Sequence, residues 1–365
     1  MTDRIFWQKT VLPVVATLVL GGSGGWLFNS WHMPLAWMIG AMCVTTIAAL
    51  AGAPLKSSPN LRNVMIPVLG IMLGSTFTPK ALENVHLWVP SLVTMILYVS
   101  FVATCVGFFF YRVVKVGAVT SFFSATPGGL ATMVVLGSDK GGDERTIALT
   151  HSVRILLTVL IIPFWFRLFA GYEPGGLASL GTFKSLTPVG AVLLLLCGLF
   201  GVYGGRFLRL PSAQVLGPML ASAALHLTGV TEAKPPVDII NLAQIVIGTG
   251  IGARFAGVDL RFVARVITAS MASTVFMVCL AALIALGLQA TTDLPFQAVL
   301  LSFAPGGLAE MALISLAMGI DPAFVATHHL LRVAFMVSAA PLAFHILERR
   351  FGIFGDATTK HTAPD

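Results

Sequence analysis

Pro127-Gly128-Gly129-Leu130-Ala131 is repeated without change as Pro305-Gly306-Gly307-Leu308-Ala309, 178 positions later. Proline removes a backbone donor and paired glycines favour non-helical backbone, so each copy interrupts the apolar stretch that contains it. Outward from this anchor the same shift places Met133 on Met311, Gly141 on Gly319, Asp143 on Asp321, His151 on His329 and Arg154 on Arg332. Pro163 meets Pro341, Phe166 meets Phe344, and Gly70, Gly74 and Phe77 meet Gly248, Gly252 and Phe255. A shift of 177 pairs Pro34 and Gly40 with Pro211 and Gly217. The register runs through most of both halves, which marks an internal duplication.

The 365 residues are 56% hydrophobic and only 10% charged, with a mean hydropathy of +0.90. A soluble domain carries roughly 25% charged residues, so a soluble enzyme, a disordered regulator and a secreted disulfide scaffold are all excluded. The composition specifies an all-α polytopic membrane protein. At about 20 residues per span the chain holds roughly ten to twelve spans and no sizeable soluble domain. Each half offers six apolar segments, near 11–28, 34–52, 62–78, 87–111, 118–137 and 146–169, then 188–205, 211–229, 239–256, 266–288, 296–318 and 323–347. Residues 1–175 form the first repeat, 176–350 the second, and 351–365 a polar cytoplasmic tail. The longest connector, 170–187, joins the repeats.

Arg4 and Lys9 precede the apolar run 11–20 and a glycine cluster at 21–25, a signal-peptide-like order. A comparable segment recurs at 189–205, inside the chain, so the first is read as an uncleaved span. Cys43, Cys105, Cys197 and Cys279 each lie within apolar runs, without metal-ligand spacing, and are expected to be buried free thiols. The net charge of +7 fits cytoplasmic loops of a membrane protein better than a nucleic-acid surface.

The fifth segment of each half decides the polarity of the repeats. If it spans, six crossings per half give parallel repeats; if it is re-entrant, five crossings give inverted ones. Of the 22 Lys and Arg, Arg154 and Arg332 sit mid-span. With a cytoplasmic N-terminus, the re-entrant scheme puts 16 of the other 20 inside, leaving Lys80, Arg167, Lys184 and Lys234 outside. The parallel scheme splits them 12 to 8 and misplaces Arg206, Arg209, Arg254, Arg261 and Arg265. The positive-inside rule therefore favours two inverted repeats, each of about five transmembrane helices plus a broken or re-entrant Pro-Gly-Gly element, with both termini cytoplasmic.

Broken helices in inverted repeats bring half-helix N-termini to the midplane, where their dipoles face anionic groups. Pro127, Gly128, Gly129, Pro305, Gly306 and Gly307 are therefore candidate substrate-binding positions; the alternative is that they only permit close packing. His-x-x-Arg, at His151/Arg154 and His329/Arg332, puts both side chains on one helical face. Asp143 and Asp321 are placed to cap these helices. An arginine at mid-bilayer needs a partner or a polar cavity, either to neutralise substrate charge or to bind the carbonyls freed by the neighbouring break. Glu310, whose counterpart is Thr132, is the one acid within an apolar segment near the breaks. It is expected to pair with Arg332 or Arg154, or to serve coupling or gating. Two arginines and one glutamate make the centre net positive and suit an anionic substrate. Gly248-Thr249-Gly250-Ile251-Gly252 is read as helix packing, and Gln214, Asn241 and Gln244 as a candidate polar path. No constellation here would hold a metal or a cofactor, and no enzyme motif is present.

The duplicated Pro-Gly-Gly-Leu-Ala and His-x-x-Arg elements resemble those of the AbrB-type inner-membrane duplication family of bacteria, over almost the entire chain. Members carry two labels, AbrB-like regulator of gene expression and putative ammonia monooxygenase. More distantly the organisation resembles the cation–proton antiporter and anion transporter superfamily. The resemblance implies the bacterial inner membrane. The expected function is secondary transport of a small anionic or polar metabolite by alternating access, without enzymatic activity. An indirect membrane sensor of gene expression is the second reading, and a membrane monooxygenase the third. The expected partners are a small-molecule substrate, the lipid bilayer and a second copy of the chain in a homo-oligomer, with no nucleic acid.

Overall fold

The computed structural model describes residues 11–79, 83, 85–169, 171, 181–258 and 260–351, excepting the side chains of 260–263 and 351. Arg4, Lys9, Lys80, most of the 170–187 connector and the tail from 352 onward lie outside the described residues, as does the Arg261 side chain. Within them the chain is all helix, and each half repeats one series of seven. The first comprises α1 (Leu12–Ser30), α2 (Ala36–Leu50), α3 (Pro59–Gly74), α4 (Val89–Phe109), α5 (Ala118–Ala125), α6 (Leu130–Asp139) and α7 (Glu144–Phe169). The second comprises α8 (Pro188–Phe207), α9 (Ala213–Leu227), α10 (Val237–Gly252), α11 (Leu260–Thr291), α12 (Phe296–Phe303), α13 (Leu308–Ala317) and α14 (Pro322–Phe351). Six helices are long and apolar enough to cross a membrane, so the protein is an all-α polytopic membrane protein. The fifth apolar segment of each half is split by Pro-Gly-Gly into two short helices, α5/α6 and α12/α13. Neither 8 nor 10 residues, at about 1.5 Å each, reaches across a ~30 Å hydrocarbon layer.

Local chemistry sets the boundaries. Pro59 and Pro188 open α3 and α8, and the preceding Ser58 and Thr187 accept from Leu61 N and Gly190 N at 3.3 and 3.1 Å. Leu35 and Ser212, at the same place in the two repeats, both adopt left-handed backbone (φ 49° and 51°) before α2 and α9.

Packing sorts the helices into two bundles. The first three of each half, α1–α3 and α8–α10, form one; α4–α7 and α11–α14 form the other. Glycine makes the first bundle possible. A Cβ on Gly24 or Gly40 would collide with the other's backbone, as would one on Gly217 with Gly201. Across the repeats the contacts are reciprocal. A Cβ on Gly248 would lie 2.6 Å from the Met38 carbonyl oxygen, and one on Gly70 would lie 2.5 Å from that of Val215. Thus α10 packs on α2 as α3 packs on α9, and Gly248 and Gly252 are packing residues. The bundles meet where α3 touches α13 and α14, and where α7 touches α2 and the turn after α10.

The first broken segment turns back on itself. Asp143 N donates to Thr120 Oγ1 at 2.9 Å, joining the residue after α6 to the first turn of α5, and Gly137 of α6 packs on Phe123 of α5. Other contacts gather at this end: Arg265 donates to the Val114 carbonyl, Gln214 Nε2 to Asn63 Oδ1 at 3.1 Å, and Lys140 lies over the Phe344 ring. The far end of α7 joins a second set. Arg167 donates to the His32 carbonyl at 2.6 Å, and Trp165 packs on Phe296.

All four cysteines are free, but only Cys197 is buried; Cys43 and Cys105 are half-buried and Cys279 is exposed on α11. This corrects the expectation of buried thiols: an apolar run also supplies the residues that face lipid, and period alone does not separate the two faces.

Gly217→Leu should lower the unfolding temperature in detergent strongly, since overpacking here displaces backbone and costs about 1–3 kcal/mol or more. Gly204→Leu, one turn away from Gly201 with open space around it, should leave it within about 0.5 kcal/mol of wild type.

Candidate functional site

The site is built from the two breaks and the helix that follows each. Asp143 and Asp321 cap α7 and α14 as expected: Asp143 Oδ2 accepts from Thr146 N at 3.2 Å, and Asp321 Oδ1 from Ala323 N at 2.9 Å. Two turns into these helices, His151 Nε2 donates to the Phe123 carbonyl at 3.0 Å and His329 Nε2 to the Leu301 carbonyl at 2.9 Å. Each histidine therefore holds a carbonyl in the half-helix before its own break. Both are fully buried, with Nδ1 unpartnered. His328 is engaged elsewhere, with Ser91 Oγ at 2.8 Å.

The two arginines part company at this point. Arg332 donates from Nη1 to the Ala304 carbonyl at 2.8 Å and from Nη2 to the Gly306 carbonyl at 2.5 Å. It neutralises the orphan acceptors of the second break, and only its Nε is left over. Arg154 is equally buried (4% exposed against 3%) but its Nε and Nη1 have no partner. In the first break the Thr126 carbonyl is taken instead by Gly128 N at 2.9 Å. The arginines act on each other electrostatically, and Tyr98, whose hydroxyl donates to the Met277 carbonyl at 3.0 Å, acts on both.

Glu310 departs from expectation. It forms no ion pair among the described residues. Its carboxylate folds back over Gly307 and accepts from its own backbone N–H in the first turn of α13. A carboxylate at a helix N-terminus is stabilised by the orphan N–H groups and the dipole there. In the first repeat Thr132 stands in its place, and the first turn of α6 carries no acid and no side-chain cap.

A pattern runs through these differences. Ser124 Oγ, Thr150 Oγ1 and Arg154 in the first repeat are buried without partners. Their counterparts are committed: Ser302 donates to the Ala298 carbonyl at 2.8 Å, His328 binds Ser91, and Arg332 holds the break. The second break is thus internally satisfied and the first is not.

A family model described as "Transition state regulatory protein AbrB" matches residues 37–348, most of the chain and both breaks. The chain belongs to the AbrB family. It is 26% identical over 367 residues to "Uncharacterized protein YhjN" of Bacillus subtilis (strain 168), covering 94% of this chain and 96% of that protein. It is 24% identical over 314 residues to "Putative regulator AbrB" of Escherichia coli (strain K12), covering 86% and 90%. Both matches take in the duplicated unit as a whole.

Other residues of this AbrB-family chain fall away from the breaks. Gln214 is bonded to Asn63, and Gln244 Nε2 lies 3.4 Å from Asn241 Oδ1, both within the glycine-packed bundle. They do not join Arg154. Among the described residues no three His, Cys, Asp or Glu side chains converge as metal ligands. Sequence reasoning missed Tyr98, Ser124 and Thr150. A lone tyrosine, serine or threonine in an apolar run usually bonds its own helix backbone, so nothing in the local sequence singles them out.

Arg332→Gln should cost about 2–4 kcal/mol of stability in detergent, because two carbonyls of the second break lose charged donors. Arg154→Gln should be neutral or stabilising, because it removes a buried charge with unpaired donors. Thermal unfolding of the two variants side by side checks this difference.

Proposed function

We propose that this AbrB-family protein is a secondary transporter of the bacterial inner membrane that moves a small anionic metabolite by alternating access. The observation that carries the reading is Arg154: a fully buried guanidinium with uncommitted N–H groups, beside a helix break whose following half-helix has an unoccupied N-terminus. A carboxylate of the substrate would accept from Arg154 and from the free N–H groups of the first turn of α6. That would relieve the desolvation cost of a lone buried arginine. In this scheme Arg332 and His329 keep the second break rigid, His151 steadies the first, and Glu310 occupies the N-terminus that would otherwise form a second anion site. Pro127, Gly128 and Gly129 shape the binding side and Pro305, Gly306 and Gly307 the structural side.

The two halves insert with opposite polarity. Supporting this, Thr120 with Asp143, Arg265 with Val114 and Gln214 with Asn63 are contacts between residues that the re-entrant scheme assigns to one side. The parallel scheme would set each pair on opposite faces. Arg62, Lys115, Lys140, Arg145, Arg254 and Arg265 gather with them, which marks that end as cytoplasmic. The name of the Escherichia coli relative, a putative regulator, keeps a sensing role as the second reading: a ligand bound at Arg154 would then act through a cytoplasmic partner.

In proteoliposomes, wild-type protein should accumulate at least one member of a panel of labelled mono- and dicarboxylates, and Arg154→Gln should reduce initial uptake more than about 100-fold. Wild-type uptake by folded Arg154→Gln protein would defeat the site assignment. No uptake of any member, with a transcriptional response that survives Arg154→Gln, would defeat the transport reading itself. For polarity, Lys115→Cys and Asp293→Cys occupy equivalent positions before the two broken segments. In a background with the native cysteines replaced, an impermeant thiol reagent should reach them from opposite faces of the membrane.

A further inference from the structure

A cavity of ≈ 460 Å³ opens between the two bundles, walled by α6, α7 and the turn at residues 254–258. Its lining runs from Glu144 and Arg145 at the basic end to Leu130 and Ala131 at the first break. It therefore follows the whole of α6, a 10-residue helix rising about 15 Å. Its walls are chiefly apolar, from Leu130, Val134, Val135, Leu149 and Val258, and Arg254 stands among them. Arg254 reaches across the bundle boundary, donating from Nη1 to Ser152 Oγ of α7 at 3.3 Å. Its counterpart in the first repeat is Thr76.

The duplication supplies an internal control. The same frame in the second repeat puts Ala309 for Ala131, Leu313 for Val135 and Ala326 for Ala148. On the first side Val135 is 57% exposed; on the second Leu313 and Ala326 are both 0% exposed. One chemical frame thus occurs twice in one molecule, once open and once packed shut. The open copy leads to the unsatisfied break and the shut copy to the satisfied one.

We infer that this cavity is the passage by which an organic anion with a short apolar body moves between the basic end and the Arg154 break, and that Arg254 selects its charge. Apolar walls with one cation suit a carboxylate carrying a few carbons. A low-dielectric cleft also focuses the field of a single charge along its length. The corresponding face of α13 and α14 is the closed counterpart, which would open when the bundles shift. The purpose of the passage rests on the transport reading given above; its existence and charge selectivity do not.

The test uses full-length protein in which Cys43, Cys105, Cys197 and Cys279 are Ala, carrying Val135→Cys or Leu313→Cys. The probes are two water-soluble methanethiosulfonates, one bearing a sulfonate and the other a trimethylammonium group. The cysteine at 135 should react with both and favour the anionic reagent, whereas that at 313 should react far more slowly. Arg254→Gln should lower the anionic-to-cationic rate ratio at 135 by about fivefold or more, the scale of one charge several ångström away in a hydrated cleft. Arg254→Lys should retain it, which separates a field effect from misfolding. An unreactive cysteine at 135, the outcome if that face meets lipid, would overturn the inference. So would equal reactivity at 313, or a ratio indifferent to Arg254→Gln. Lost uptake with the ratio intact overturns the transport reading alone.

Discussion

A bilayer offers no water to a backbone group that has left its helix, and this protein leaves two helices broken at Pro-Gly-Gly. Everything around the breaks answers that constraint. The histidines hold the last carbonyls before each break. At the second break Arg332 takes the next two and the Glu310 carboxylate occupies the start of the following half-helix. At the first break Gly128 N takes the Thr126 carbonyl and the arginine remains free. A single element, duplicated, has therefore been completed from within on one side and left to be completed by something else on the other.

The breaks hold their places because the bundle behind them is stiff. In α1–α3 and α8–α10, glycines bring helix backbones into direct contact, and the cross-repeat pairs are reciprocal in the manner of a two-fold interface. Small residues are what allow helices to associate in lipid, where burying apolar surface offers little advantage. The other bundle, which contains all four half-helices, touches this one along few helices. The division gives a firm scaffold beside a unit with room to shift, and the cavity at Arg254 lies on the seam.

Much of this was legible in the sequence because duplication writes each constraint twice. The Pro-Gly-Gly breaks, the caps at Asp143 and Asp321, the burial of both arginines and the packing glycines could be read from spacing and residue type. Glu310 could not, because a carboxylate can satisfy itself on the nearest helix N-terminus as readily as on an arginine, and only backbone geometry chooses. The exposure of Cys279 was hidden for a different reason: lipid-facing and core-facing residues are equally apolar. Arg254 looked like an ordinary loop charge, since nothing in the local sequence reveals that it reaches Ser152 across a boundary between bundles.

The departures from repeat symmetry form one set. Glu310 replaces Thr132, Arg254 replaces Thr76 and Arg62 replaces Ile240, and Glu310 interacts electrostatically with both arginines. Glu310 belongs to the bundle of half-helices, while Arg62 and Arg254 belong to the glycine-packed one. The charges added after duplication thus lie across the seam, where they weigh one arrangement of the bundles against the other. A strictly symmetric protein would have two equal breaks and no preferred end. These three residues make one break structural and the other free to bind, and they do so where a shift of the bundles changes their separation most.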